Sequence, residues 1–252
     1  MISQFALRLI CGMSLMWALM PRRAVTSGFF RIQMLVVMGL GVLAALTSGM
    51  LTQALATAIA GAGFVGSVAW TLERRVAGEW IGFGILAASA ASLTVSTRTP
   101  DDWWIGIVWI SPVSQIVGGA VLGSVTVGML LGHWYLTAPT MSIEPLKRIN
   151  AFVGMVGGLR LIVSAAVLGL LWSGLWPANE AASKRLAVPQ IWLVLRWLAG
   201  IIGPIVVSVM VWRILKYRNT QAATGVLFVG VILVFLGDLM AALLLQETNL
   251  PF

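Results

Sequence analysis

Arg160, Arg196 and Asp238 are charged side chains inside stretches that are otherwise apolar. A guanidinium at the centre of a bilayer costs about 2.5 to 3.5 kcal/mol on insertion scales, so each needs a partner, water or a task. Arg160 lies about ten residues into the run 151–173, beyond Gly157-Gly158 and close to mid-bilayer. Its chemistry would be contact with an anion, a quinone carbonyl or a proton path. Its plainer role would be a structural ion pair or a clamp on a backbone carbonyl. Asp238 and Arg196 each lie about seven residues from the outer ends of the last two runs. Equal depth on consecutive antiparallel helices predicts that they pair, as a helix fastener or as a proton relay or solute-coupled switch. The long side chain of Arg160 can reach the same polar network. Arg8, in the first run, is expected to snorkel to the outer surface.

His133, the single histidine, stands in Gly132-His133-Trp134-Tyr135. One histidine excludes bis-His haem, and the twelve methionines show no ligand-like spacing. His133 therefore reads as a ligand or proton site, through protonation near neutral pH or a hydrogen bond to a headgroup or quinone. Glu79 reads as an interfacial carboxylate near Arg75. The lone Cys11 excludes an intrachain disulfide and a Cys-only metal site. There is no phosphate-binding G-x-x-x-x-G-K-[ST] loop, no G-x-S-x-G and no H-E-x-x-H. No catalytic residue is assigned, no metal or resident cofactor is expected, and activity of the chain by itself is not expected. A lipid-directed enzyme with His133 or Asp238 as base lacks a second convergent group. A bound quinone or lipid remains compatible with the sequence.

These residues are carried by eight apolar runs, roughly 3–20, 29–50, 52–72, 77–97, 112–136, 151–173, 189–212 and 221–245. Of the 252 residues 60% are hydrophobic and 10% charged, and the mean hydropathy is +0.98. A membrane-crossing helix needs about 20 residues. The expected fold is an all-α polytopic bundle of eight transmembrane helices, or seven plus an interfacial N-terminal helix. It forms one transmembrane domain over 1–252, with no separate soluble domain. The first run imitates a signal peptide, but Arg8 interrupts it and Pro21-Arg22-Arg23 follows in place of a small-residue cleavage site.

The net charge of +8 has a simple cause. Ten of the sixteen Lys and Arg fall in four alternate loops: Arg22, Arg23 and Arg31; Arg74 and Arg75; Lys147 and Arg148; Arg213, Lys216 and Arg218. Arg98, Lys184 and Arg185 lie in the opposite loops. By the positive-inside rule the basic loops are cytoplasmic and the C-terminus is outside, as in a bacterial inner membrane. The basic partner is then anionic lipid and not nucleic acid.

All twelve tryptophans fall toward predicted interfaces. The stretch Asp101-Asp102-Trp103-Trp104-Ile105-Gly106-Ile107-Val108-Trp109 reads as a surface for docking a partner. Gly119 and Gly123, Gly128 and Gly132, and Gly154 and Gly158 are spaced to let helices approach closely in lipid. They predict that the fifth and sixth runs form the centre of the bundle. Pro204, after Gly200 and Gly203, predicts a kink. No internal repeat is visible. The first functional expectation is an integral subunit of a larger bacterial energy-transducing complex, respiratory or photosynthetic, alongside other membrane subunits. Its role would be structural or near a quinone or proton site. The alternative is a stand-alone secondary transporter or channel whose path is lined by Arg160 and Asp238.

Overall fold

The computed structural model describes residues 1–21, 24–95, 110–138, 141–173 and 190–248. They form an all-α bundle with no strand among the described residues. Among the described residues eight helices are long and apolar enough to cross a membrane. These are α1 (Ile2–Leu19), α2 (Ser27–Thr47), α3 (Met50–Thr71), α4 (Arg75–Val95), α5 (Ile110–Trp134), α6 (Glu144–Trp172), α7 and α8 (Thr220–Thr248). α7 runs on through three stretches, Gln190–Trp197, Leu198–Ile202 and Gly203–Lys216.

Local chemistry sets the ends. Pro112 falls in the first turn of α5, where its missing N–H leaves no bond unmade. Asn219 caps α8, its side-chain oxygen accepting from the Ala222 N–H at 2.9 Å. α6 begins at Glu144, earlier than the apolar pattern suggested, so Lys147, Arg148 and Asn150 are helical rather than part of a loop. Pro145 suits the first turn there, and the Ser142 hydroxyl accepts from the Glu144 N–H at 3.3 Å.

Neighbouring helices pack in two matching circuits. α1 touches α2 and α4, α2 touches α3, and α3 touches α4. In the same order α5 touches α6 and α8, α6 touches α7, and α7 touches α8. The circuits join chiefly where α1 lies along α5. At this crossing Arg8 faces Gly119 and Gly12 faces Gly119 and Gly123, a rising register that makes the two helices parallel. The chain is thus four helices followed by four in the same arrangement, an internal correspondence that inspection of the sequence misses.

The crossing corrects two expectations. α1 is neither marginal nor interfacial: 61% of it is buried, second only to 78% of α5. The centre of the bundle is α1 with α5, not α5 with α6, of which 33% is buried. Glycine is what allows it. A Cβ on Gly12 would lie 1.8 Å from the Gly119 carbonyl oxygen, and one on Gly123 would lie 2.0 Å from the Gly12 carbonyl carbon. Other expected glycines divide. Gly128 packs on Ile149 and Leu227, Gly132 on Thr224, and Gly154 on Ser208. Gly158 has nothing within 4 Å of its Cβ direction, and Gly157 instead meets Ile205.

Near the basic-loop end the tryptophans divide: Trp80 and Trp212 are exposed, as an interfacial belt requires, and others are more internal. Trp17 and Trp70 are buried, and Trp70 stacks on Phe30 with ring centroids 4.5 Å apart. Trp134 donates its indole N–H to the Thr26 hydroxyl at 2.9 Å, tying the end of α5 to the start of α2. Just beyond α5, Tyr135 donates to the Ser142 carbonyl, and burial pushes its phenol up from 10 to about 12. The fold favours the neutral phenol, so Tyr135 withdraws stability as pH rises from 10 through 12. An ultraviolet phenolate titration of Tyr135→Phe should lose a step near pH 12; a curve unchanged from the parent would contradict this burial.

Candidate functional site: a buried charge cluster

The site begins with a defect in α7. Pro204 has no N–H to give the Gly200 carbonyl, so the regular ladder cannot pass through it. The helix widens to a π-turn over Leu198–Ile202, and the Gly203 N–H bonds the Leu198 carbonyl five residues back. The predicted kink is therefore a π-turn, a feature frequent at functional sites. Gly200 sits in it and touches Gly237 of α8: a Cβ on Gly237 would lie 2.1 Å from the Gly200 Cα.

Two arginines converge on the Gly237–Asp238 step of α8. Arg196, one turn before Gly200, donates Nη1 to the Gly237 carbonyl at 3.3 Å. Arg8 of α1 donates Nη1 to Asp238 Oδ1 at 2.7 Å, an ion pair with both side chains buried. Arg8 Nε also approaches the Gln4 carbonyl at 3.4 Å. Phe5 and Phe235, edge to face at 5.2 Å, pack between the same two helices. Two expectations change here. The ion pair of Asp238 is with Arg8, while Arg196 lies within its electrostatic reach, and Arg8 does not snorkel outward but is 3% exposed in the centre of the bundle.

Arg160 approaches from α6. Its Nη1 donates to the Ser114 carbonyl and hydroxyl, each at 2.7 Å, in the early turns of α5. Gly118, one turn on, leaves room for the guanidinium, whose Nη1 lies 3.8 Å from where a Cβ would stand. Arg8, Arg160, Arg196 and Asp238 all lie within electrostatic reach of one another. The four charges sum to plus two. They occupy the half of the bundle away from the basic loops, where α1, α5, α6, α7 and α8 meet. One donor of the cluster, Arg8 Nη2, is buried without a hydrogen bond among the described residues. Such a cluster can hold an anionic group or pass a proton at Asp238.

The remaining candidates do not join it. His133 is exposed in the last turn of α5, nineteen residues past Ser114 and so about 28 Å along the helix. Asp101, Asp102, Trp103, Trp104 and Trp109 lie outside the described residues. Among the described residues no three His, Cys, Asp or Glu side chains gather as a metal would need. Sequence reading also missed a second buried polar contact. Asn150 Nδ2 donates to the Ser208 carbonyl at 2.9 Å, and the Ser208 hydroxyl donates to the Asn150 carbonyl at 2.9 Å. An earlier start to α6 was the signal for it.

No family model, curated protein or solved structure matches this chain.

Proposed function

We propose that the protein is a secondary transporter for a small anionic solute, with the buried charge cluster as its binding site. The observation that carries this reading is the gathering of three guanidinium groups and one carboxylate, one of the three bonded to it and two within electrostatic reach, inside an apolar bundle. Their summed charge attracts an anion, and the buried Arg8 Nη2 offers it a donor. Asp238 supplies the coupling. Protonating it would release Arg8 to the solute, so proton and anion would bind together. The adjoining π-turn and the Gly200–Gly237 contact give α7 and α8 a place to shift against each other. The basic loops are then cytoplasmic and the membrane is the bacterial inner membrane.

Binding is tested in mild detergent. Chloride, phosphate, acetate and succinate are each added to the purified protein and its thermal unfolding followed. A solute at one hundred times its dissociation constant stabilises by about 2.7 kcal/mol. At least one anion should raise the midpoint, and Arg160→Gln should lose that rise while keeping normal membrane abundance. Loss of abundance in place of binding would make Arg160 a structural clamp.

A second reading, a subunit of an energy-transducing complex, is favoured by the acidic and aromatic stretch Asp101–Trp109. It requires stoichiometric membrane partners in a mild-detergent purification. Recovery of a lone, stable chain would remove it.

A further inference from the structure

At the basic-loop end, far from the charge cluster, α6 and α7 part to leave a groove of about 300 Å³. It is lined by Lys147, Asn150, Ala151, Trp212, Leu215 and Lys216. One lysine comes from each helix, and the Lys216 ammonium stands 3.7 Å from the centre of the Trp212 ring. Both lysines are exposed, so they can turn toward a ligand. Asn150 is 3% exposed. Its amide N–H serves Ser208, which leaves the side-chain oxygen as the spare acceptor. That oxygen is buried without a hydrogen bond among the described residues, a rare condition in a folded protein.

We infer that this groove binds the headgroup of an anionic phospholipid that carries a headgroup hydroxyl, of the phosphatidylglycerol type. Lys147 and Lys216 hold the phosphodiester from its two sides. The headgroup hydroxyl donates to Asn150 Oδ1, an acceptor that a phosphodiester with no donor of its own would leave unmet. Trp212 sits at the level where indole meets headgroups. The acyl chain follows the apolar surface inward, along Met155, one turn from Ala151, and Val209, one turn from Trp212; both are exposed. Basic pockets between transmembrane helices are suited to anionic headgroups in this way. The site is independent of the transport reading, because it shares no residue with the charge cluster.

The experiment is native mass spectrometry of the delipidated full chain with phosphatidylglycerol, phosphatidate, phosphatidylcholine or inorganic phosphate added. Each basic contact at an anionic surface is worth about fivefold, so Lys147→Gln with Lys216→Gln should weaken phosphatidylglycerol binding about 25-fold. Both side chains are exposed, and thermal unfolding of the variant checks that the fold persists. Phosphatidylglycerol should bind more tightly than phosphatidate, which lacks the hydroxyl, and than zwitterionic phosphatidylcholine. Equal binding of phosphatidylcholine, or full retention of phosphatidylglycerol by the double variant, would overturn the site. Binding of inorganic phosphate alone as tightly as the lipid would assign the groove to a free anion and overturn the lipid.

Discussion

Asp238→Ala is expected to remove most of the folded protein from the membrane. It leaves Arg8 buried with no carboxylate, and breaking one side of a buried ion pair costs about 3–5 kcal/mol. The loss is larger than a single pair implies, because Arg160 and Arg196 are also within reach. The cluster goes from plus two to plus three. Arg8→Met should be milder: it takes the cluster to plus one and leaves Asp238 near Arg196. Changing both together, Arg8→Met with Asp238→Ala, keeps the cluster at plus two and leaves no orphaned partner. Such paired replacement by apolar groups is often neutral or stabilising. Membrane abundance and thermal unfolding of the four proteins give a double-mutant cycle. The expected order of damage is Asp238→Ala first, Arg8→Met second and the double change least. A double variant as damaged as the sum of its parts would mean that Arg8 and Asp238 act separately.

The second large effect lies at the crossing of α1 and α5. Gly12→Ala would put a Cβ 1.8 Å from the Gly119 carbonyl oxygen, and Gly123→Ala would put one 2.0 Å from the Gly12 carbonyl carbon. Both obstacles are backbone, so no side chain can swing aside. Overpacking typically costs 1–3 kcal/mol, and these two sites should reach about 3 kcal/mol or more because two whole helices must separate. Arg8 precedes Gly12 by one turn on the same face. Pushing α1 off α5 therefore also stretches its ion pair to Asp238. Gly158→Ala is the matched control: nothing lies within 4 Å of the new Cβ. It should be neutral or gain up to about 1 kcal/mol from helix propensity. If Gly12→Ala and Gly158→Ala unfold alike, α1 does not pack on α5 as described.

These two sites also show how far the sequence can be read. Eight helices were legible because a bilayer demands long apolar runs, and the runs are there. The pairing of Asp238 was not. Depth in the membrane gives a residue's height, but a helix turns about 100° per residue. Gly237 therefore faces α7 and presents its carbonyl to Arg196, while Asp238, one residue on, faces α1. Arg8 was placed at the surface because its run is short and lies at the chain start. Only the glycines opposite it, Gly119 and Gly123, draw that run to the centre. Spacing alone likewise marked Gly154 and Gly158 as a pair, whereas Ser208 and Ile205 of α7 select Gly154 and Gly157. The four-plus-four packing lies in which helices touch, and no repeat visible in the sequence marks it. The charged residues themselves were legible, since a charge in an apolar run is conspicuous whatever it contacts.

The transport reading meets its most direct test in reconstituted liposomes. The purified chain is loaded into vesicles, and uptake of chloride, phosphate, acetate and succinate is measured with and without an inward proton gradient. At least one anion should enter saturably and faster with the gradient. Arg160→Gln, inserted at equal density, should abolish that uptake. Uptake of all four no faster than in protein-free vesicles, or undiminished uptake by Arg160→Gln, would contradict a binding site built on these charges.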